Sequence, residues 1–156
     1  MDIQTATDFT LKNWQRLAEK ELEQPETRLF INGDYVDAID GQRFETINPA
    51  NLKTIATVSA ANSKDIDSAV TSARAAFRSG VWSRMAPRDR MDIMYRFTEL
   101  IDQYAAQLAV LDTLDMGKPI SDVLQIDIPS VIQTIQFMAE YIDKIEGAVT
   151  NNEPDV

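Results

Sequence analysis

The residues of this chain with chemistry in them are few, and each has a plainer structural explanation beside it. Asp65/Asp67 and Asp112/Asp115 are carboxylate pairs of the kind used for acid–base work or for a divalent cation. A catalytic pair must straddle a substrate, which spacing along a chain does not establish. With 25 Asp and Glu in the sequence, such pairs are expected on solvated helix faces. Gly117-Lys118-Pro119 puts a cation beside a glycine turn, the raw material of a phosphate site. A helix stop followed by a proline-led helix explains all three residues without a ligand. The five glycines are Gly33, Gly41, Gly80, Gly117 and Gly147, and the nearest two are eight positions apart. A dinucleotide fingerprint or a Walker loop needs glycines much closer together, so both are excluded. With 0 Cys and 0 His there is no thiol nucleophile, no disulfide and no imidazole base. Trp14, Trp82 and the Met91/Met94 pair read as packing anchors rather than ligand cages.

Charge narrows the partners further. The formal net charge is -10, which repels phosphate backbones and anionic lipid, so neither nucleic acid nor a membrane surface is expected. No apolar run reaches the length of a membrane span, and Met1-Asp-Ile-Gln lacks the basic start of a leader. Absence of cysteine is compatible with a cytoplasmic location, which is the expectation taken here. A chain of 156 residues suits one domain. We divide it into an N-terminal helix and linker (1–27), a folded unit (28–150) and an aperiodic tail (151–156).

The elements that would position these groups follow from periodicity. Residues 8–22 place Leu11, Trp14, Ala18 and Leu22 at helical spacing, and Pro25 stops the run. Residues 29–36 alternate around Asn32-Gly33, the pair that a type I′ hairpin turn favours. Residues 43–47 and 53–58 read as two more strands, the first halted by Asn48-Pro49. From Ser63, read as an N-cap, the period lengthens to that of a helix. Ile66, Ala69, Val70, Ala73, Ala76 and Phe77 form one stripe, and Gly80 sits where a left-handed residue would end it. Pro87 opens a helix carrying Met91, Met94, Thr98 and Ile101 inward; beyond a break near Tyr104, Leu108, Leu111 and Leu114 extend the apolar face. A long last helix follows, with Ile128, Val131, Ile135, Met138, Ile142 and Ile145 along one side, and Pro129 predicts a kink or a tightened turn in it. Antiparallel strands followed mainly by helices define an α+β chain.

Two stretches carry a family likeness. One is Arg28-Leu-Phe-Ile-Asn-Gly-Asp-Tyr-Val36 with Phe44-Glu-Thr-Ile-Asn-Pro49; the other is Leu111-Asp-Thr-Leu-Asp-Met-Gly-Lys-Pro119. Asp65-Ile-Asp-Ser-Ala-Val70 and Arg74-Ala-Ala-Phe-Arg-Ser-Gly-Val-Trp-Ser83 fall between them in the same order. Over residues 28–149 the chain resembles the N-terminal region of the NAD(P)-dependent aldehyde dehydrogenases. Trp14-Gln15 and the run from Arg28 to Gly33 look like the γ-glutamyl-γ-aminobutyraldehyde and betaine-aldehyde-type subgroup.

The resemblance implies the N-terminal segment of an α/β fold, here the outer part of a cofactor-binding domain. It also implies that the Rossmann segment, the nucleophilic cysteine and the glutamate base belong to polypeptide after Val156. The expected function is therefore that of an N-terminal piece of an enzyme oxidising an aldehyde to an acid with NAD(P)+. Such a piece would be inactive alone and hold no cofactor by itself. The alternative is a non-catalytic partner that complements a separate polypeptide carrying the rest. By the same resemblance, Asp115 with backbone at Thr46 and Ile47 would bind a structural monovalent cation, and Ile126, Asp127 and Ser130 would line the mouth of a substrate tunnel. The plainer readings are a solvated aspartate and the polar side of an amphipathic helix. Apolar stripes shaped for a missing neighbour lead us to expect self-association, as a homodimer or higher oligomer through residues 120–145, or binding to the remainder of the enzyme.

Overall fold

The structure is a computed structural model and describes residues 10–147. Helix α1 (Leu11–Glu23) is capped by Thr10, whose side chain accepts from the Asn13 amide. It lies across α4 (Ala105–Met116) through Trp14 and Leu17. Strands β1 (Leu29–Ile31) and β2 (Asp34–Val36) form the expected hairpin, with Asn32 at φ 58° and Gly33 at φ 87°, the positive pair of a type I′ turn. Strands β3 (Arg43–Ile47) and β4 (Thr54–Ser59) pair antiparallel in a separate sheet, with an irregularity between Thr46 and Ile47. Asn48, buried, shapes the connecting turn by accepting from Ala50 N at 2.8 Å.

Helix α2 (Ser63–Ser79) begins one residue earlier than read from the sequence. Asn62, not Ser63, is its N-cap: the Asn62 side chain accepts from the Lys64 and Asp65 amides, and Asp65 returns the favour to Asn62 N at 2.9 Å. This reciprocal box needs a side-chain acceptor three residues before an acidic one, a spacing that Asn62 meets and Ser63 does not. The same Asp65 carboxylate accepts from Ile39 N at 3.0 Å, tying the loop after β2 to the helix start. Gly80 ends α2 at φ 83°.

Helices α3 (Pro87–Gln103) and α4 are separated by the break at Tyr104. The buried face of α4 is not the expected leucine row. Ala105, Ala106, Ala109 and Val110 face inward, while Leu108 and Leu111 stay about two-fifths exposed. Small side chains let neighbouring helices approach closely, so the alanine face makes the tighter contact. Gly117 closes α4 at φ 73° against Pro49; a Cβ there would stand 2.8 Å from Pro49 Cγ.

The last helical run also departs from expectation. It comprises α5 (Ile120–Asp122), a π-helical turn (Val123–Asp127), α6 (Ile128–Glu140) and a final 3₁₀ turn (Ile142–Lys144). Pro129 brings a widened turn rather than a tightened one: Ile128 N–H donates to Val123 O, five residues back. A proline lacks the donor for the usual carbonyl and its ring crowds that oxygen, and one extra residue per turn relieves both. The widening rotates the next helix, so Ile128, Ile132, Ile135 and Ala139 face the protein whereas Val131 and Met138 face out. Ile142 and Ile145 lie past the end of α6, and the tail 151–156 falls outside the described residues.

α6 packs mainly on α3, and the core sits where they meet α4 and the π turn: Ile101, Ala105, Ala109, Val123, Leu124 and Ile128. Thr98 and Gln136 link α3 to α6 by a hydrogen bond, as do Tyr95 and Glu140 at 2.8 Å.

Candidate functional site

Between α3, α4, the π turn and β4 runs an open, mainly apolar groove of about 1030 Å³. Ile55, Val58, Phe97, Leu108, Leu111 and Val131 form its walls. Asp112, Asp115, Lys118, Asp127 and Ser130 stand among its lining residues. The leucines missing from the core therefore have a place, on this open wall.

Lys118 does more than helix punctuation, which accounts for Gly117 and Pro119 alone. Its Nζ donates to Asp127 Oδ2 at 2.5 Å, with both side chains about one-third exposed. That hydrogen bond holds the Lys118 ammonium above its ordinary pKa; partial desolvation opposes it, and the carboxylates of Asp127, Asp122 and Asp112 add to it. The turn at Gly117 and the π turn fold the chain back so that residues nine apart meet. Opposite charges flanking Pro119 were the only trace of this in the sequence.

The carboxylate pairs do not share one fate. Asp65 is buried and committed to capping, while Asp67 is exposed on the outer side of α2. Asp112 and Asp115 both line the groove rather than a fully solvated face. Among the described residues, neither has an ion pair and no cluster of three acidic side chains is poised for a metal ion.

The residues assigned by resemblance are partly gathered. Asp127 and Ser130 line the groove together; Ile126 is exposed on the π turn and outside that lining. Ser130 Oγ donates to Ile126 O at 2.6 Å, joining the π turn to α6. Asp115 is near the end of α4, and the Gly117–Pro49 contact brings that end to the end of β3, where Thr46 and Ile47 lie beside the ladder irregularity. At the groove's other end, Glu26 is gripped by Arg28 at 2.9 and 2.7 Å, which lowers its pKa to about 2.

A hairpin, a second strand pair and a helical layer leave one mainly apolar groove open. The aldehyde dehydrogenase family profile matches residues 35–156. The chain belongs to the aldehyde dehydrogenase family. It is 41% identical over 124 residues to the NADP/NAD-dependent aldehyde dehydrogenase PuuC of Escherichia coli, a match covering 80% of this chain and 25% of PuuC. A mutant form of the P. syringae AldA indole-3-acetaldehyde dehydrogenase, in complex with NAD+ and IAA, matches with TM-score 0.85 and 41% identity, covering 94% of this chain and 29% of AldA. The γ-glutamyl-γ-aminobutyraldehyde dehydrogenase of Burkholderia cenocepacia gives TM-score 0.85 and 35% identity over 93% of this chain and 29% of that protein. The chain thus spans between a quarter and three-tenths of the length of these relatives. Among the described residues no helix is long and apolar enough to cross a membrane.

Proposed function

We propose that this chain is the N-terminal piece of a cytoplasmic aldehyde dehydrogenase, catalytically silent alone, whose open groove receives the remaining polypeptide. The observation that carries the reading is that nearly the whole chain superposes on less than a third of solved aldehyde dehydrogenases, while it has 0 Cys. The complete enzyme would oxidise an aldehyde to an acid with NAD(P)+. The thiol nucleophile and the glycine-rich cofactor turn would both come from the remainder. The open apolar groove supports a second reading equally, a non-catalytic subunit complementing a separately encoded polypeptide. Calorimetric titration with NAD+ and NADP+, alongside an aldehyde oxidation assay, tests the first reading. No turnover and no micromolar binding are expected. Turnover by the chain alone overturns it, whereas activity appearing only on adding a Cys-bearing polypeptide favours the second.

Within that enzyme, Asp115 would hold a monovalent cation with backbone oxygens at Thr46 and Ile47. The fit rests on the meeting of the α4 and β3 ends, the unpaired Asp115 carboxylate and the broken ladder at Thr46/Ile47. Binding to the native state alone raises stability with ion concentration. Potassium or sodium should raise the melting temperature over tetramethylammonium at equal ionic strength, and Asp115→Asn should abolish the difference. Ile126, Asp127 and Ser130 would stand at the substrate entrance. Because Lys118 matches the Asp127 charge, Asp127 offers no lone carboxylate to recruit an amine-bearing aldehyde.

A further inference from the structure

Between Lys118 and Ser130, side chains hold the chain where its backbone falls short. A proline stands near each end of this stretch, and neither Pro119 nor Pro129 has an N–H to donate. Gln125 O therefore lacks the donor that residue 129 would bring in a regular helix. Between the prolines lie the three residues of α5, the five of the π turn and Ile128. Burial anchors the inner side, where Val123, Leu124 and Ile128 are all core residues. The outer side has no such anchor, because Gln125 and Ile126 are exposed. Among the described residues, two side-chain hydrogen bonds reach that outer side. Ser130 Oγ reaches back four residues to Ile126 O, within the helical run. Lys118 Nζ reaches forward nine residues to Asp127 Oδ2, from before the run begins.

Lys118 also stands on a fixed base. Gly117 packs so closely on Pro49 that the backbone beside it is pinned to the turn between β3 and β4. Asp127, Asp122 and Asp112 all act on the Lys118 ammonium, and without it they would be left as like charges around one place. We propose that Lys118 is a positioning residue: its ammonium ties the outer side of the π turn to the fixed point at Gly117, and so sets where Ile126, Asp127 and Ser130 stand at the edge of the groove. The entrance role of those three residues rests on the proposed function. The tie itself is internal to the chain and holds whether the groove is open or covered. Because Val123, Leu124 and Ile128 keep the turn in the core, the tie governs local order far more than global stability.

Amide hydrogen exchange followed by NMR on the full chain reads the tie directly, because Ile128 N–H donates to Val123 O across the π turn. Lys118→Met and Asp127→Ala should each lower protection at Ile128 by at least about fivefold, between the worth of an exposed ion pair and that of a charge-assisted hydrogen bond. Ala109, in the core on α4, should keep its protection. The double variant should lose no more than either single one, since both remove the same contact. Lys118→Arg, which keeps a charged donor, should regain most of the protection. Circular dichroism checks that each variant stays folded. Unaltered protection at Ile128 in Lys118→Met, losses that multiply in the double variant, Lys118→Arg no better than Lys118→Met, or an equal loss at Ala109 would overturn the inference. Any of these results would leave the proposed function standing. Aldehyde turnover by the chain alone would overturn that function and leave the exchange result readable.

Discussion

Helices α4 and α2 make opposite use of an apolar face. α4 turns Ala105 and Ala109 inward at 0% exposure, and α1, α3 and the π turn close over them. α2 carries larger apolar groups, yet Ile66 and Phe77 remain more than half exposed, while the β1 strand, its turn at Asn32 and the loop at Ile39 touch the helix elsewhere. The difference shows that an apolar stripe states a need for cover, whereas burial depends on which neighbours the chain can bring there. The alanine face of α4 has the smaller side chains and is covered; the ridge of α2 has the larger ones and, among the described residues, no second layer.

The contrast breaks first, and most, in the closed region. Leu124, 1% exposed in the π turn, touches the alanine face. Leu124→Ala should cost about 2–5 kcal/mol in a urea melt, from lost burial plus a cavity. A cost under about 0.5 kcal/mol, the usual range for surface changes, would mean that this region is as open as α2. Next is Asp65, the one buried residue of α2. Asp65→Ala removes the acceptor for Asn62 N and Ile39 N and should cost about 1–3 kcal/mol by leaving amides unsatisfied. It should also loosen the loop at Ile39, read as faster amide exchange there. Gly117→Ala forces a side chain into a left-handed conformation against Pro49, and a loss of about 1–2 kcal/mol is expected.

Smaller effects sharpen the open side. Phe77→Ser on the bare ridge should change monomer stability by no more than about 0.5 kcal/mol. A larger loss would show that α2 is covered after all. The last change is visible only locally. The Arg28 guanidinium, hydrogen-bonded to Glu26, keeps that carboxyl near a pKa of about 2. A carboxylate depressed on folding supports the fold fully above its unfolded pKa and loses that support as pH falls toward the folded value. The Glu26 side chain should therefore titrate by NMR near pH 2 in the wild type and return to the ordinary range in Arg28→Ala.

Some of the fold was legible because it depends on neighbours along the chain. Asn32-Gly33 accepts two positive φ angles, so the hairpin register followed. Gly80 and Gly117 end helices for the same reason. The cap of α2 was misplaced by one residue because Asn62 and Ser63 are both able cappers; only Asp65, reaching back, decides between them. Of the candidate site, Asp115, Asp127 and Ser130 were singled out and do reach one groove, while the Lys118–Asp127 pair went unseen because a lysine within a turn motif carries no record of its partner.

The sequence by itself determined the order of strands and helices, the missing thiol and glycine-rich turn, and the likeness to the start of an aldehyde dehydrogenase. All of these are local or compositional. Only the tertiary structure decided that alanines rather than leucines form the buried face of α4, that Pro129 widens its turn, and that Leu108, Leu111 and the carboxylates of α4 share one open groove with the π turn. The physical reason is that helical period fixes which residues share a face to within part of a turn, and a π turn shifts that phase by a further residue. Which shared face is then buried depends on how closely neighbours can pack, a property of the assembled layers and not of any single stretch of chain.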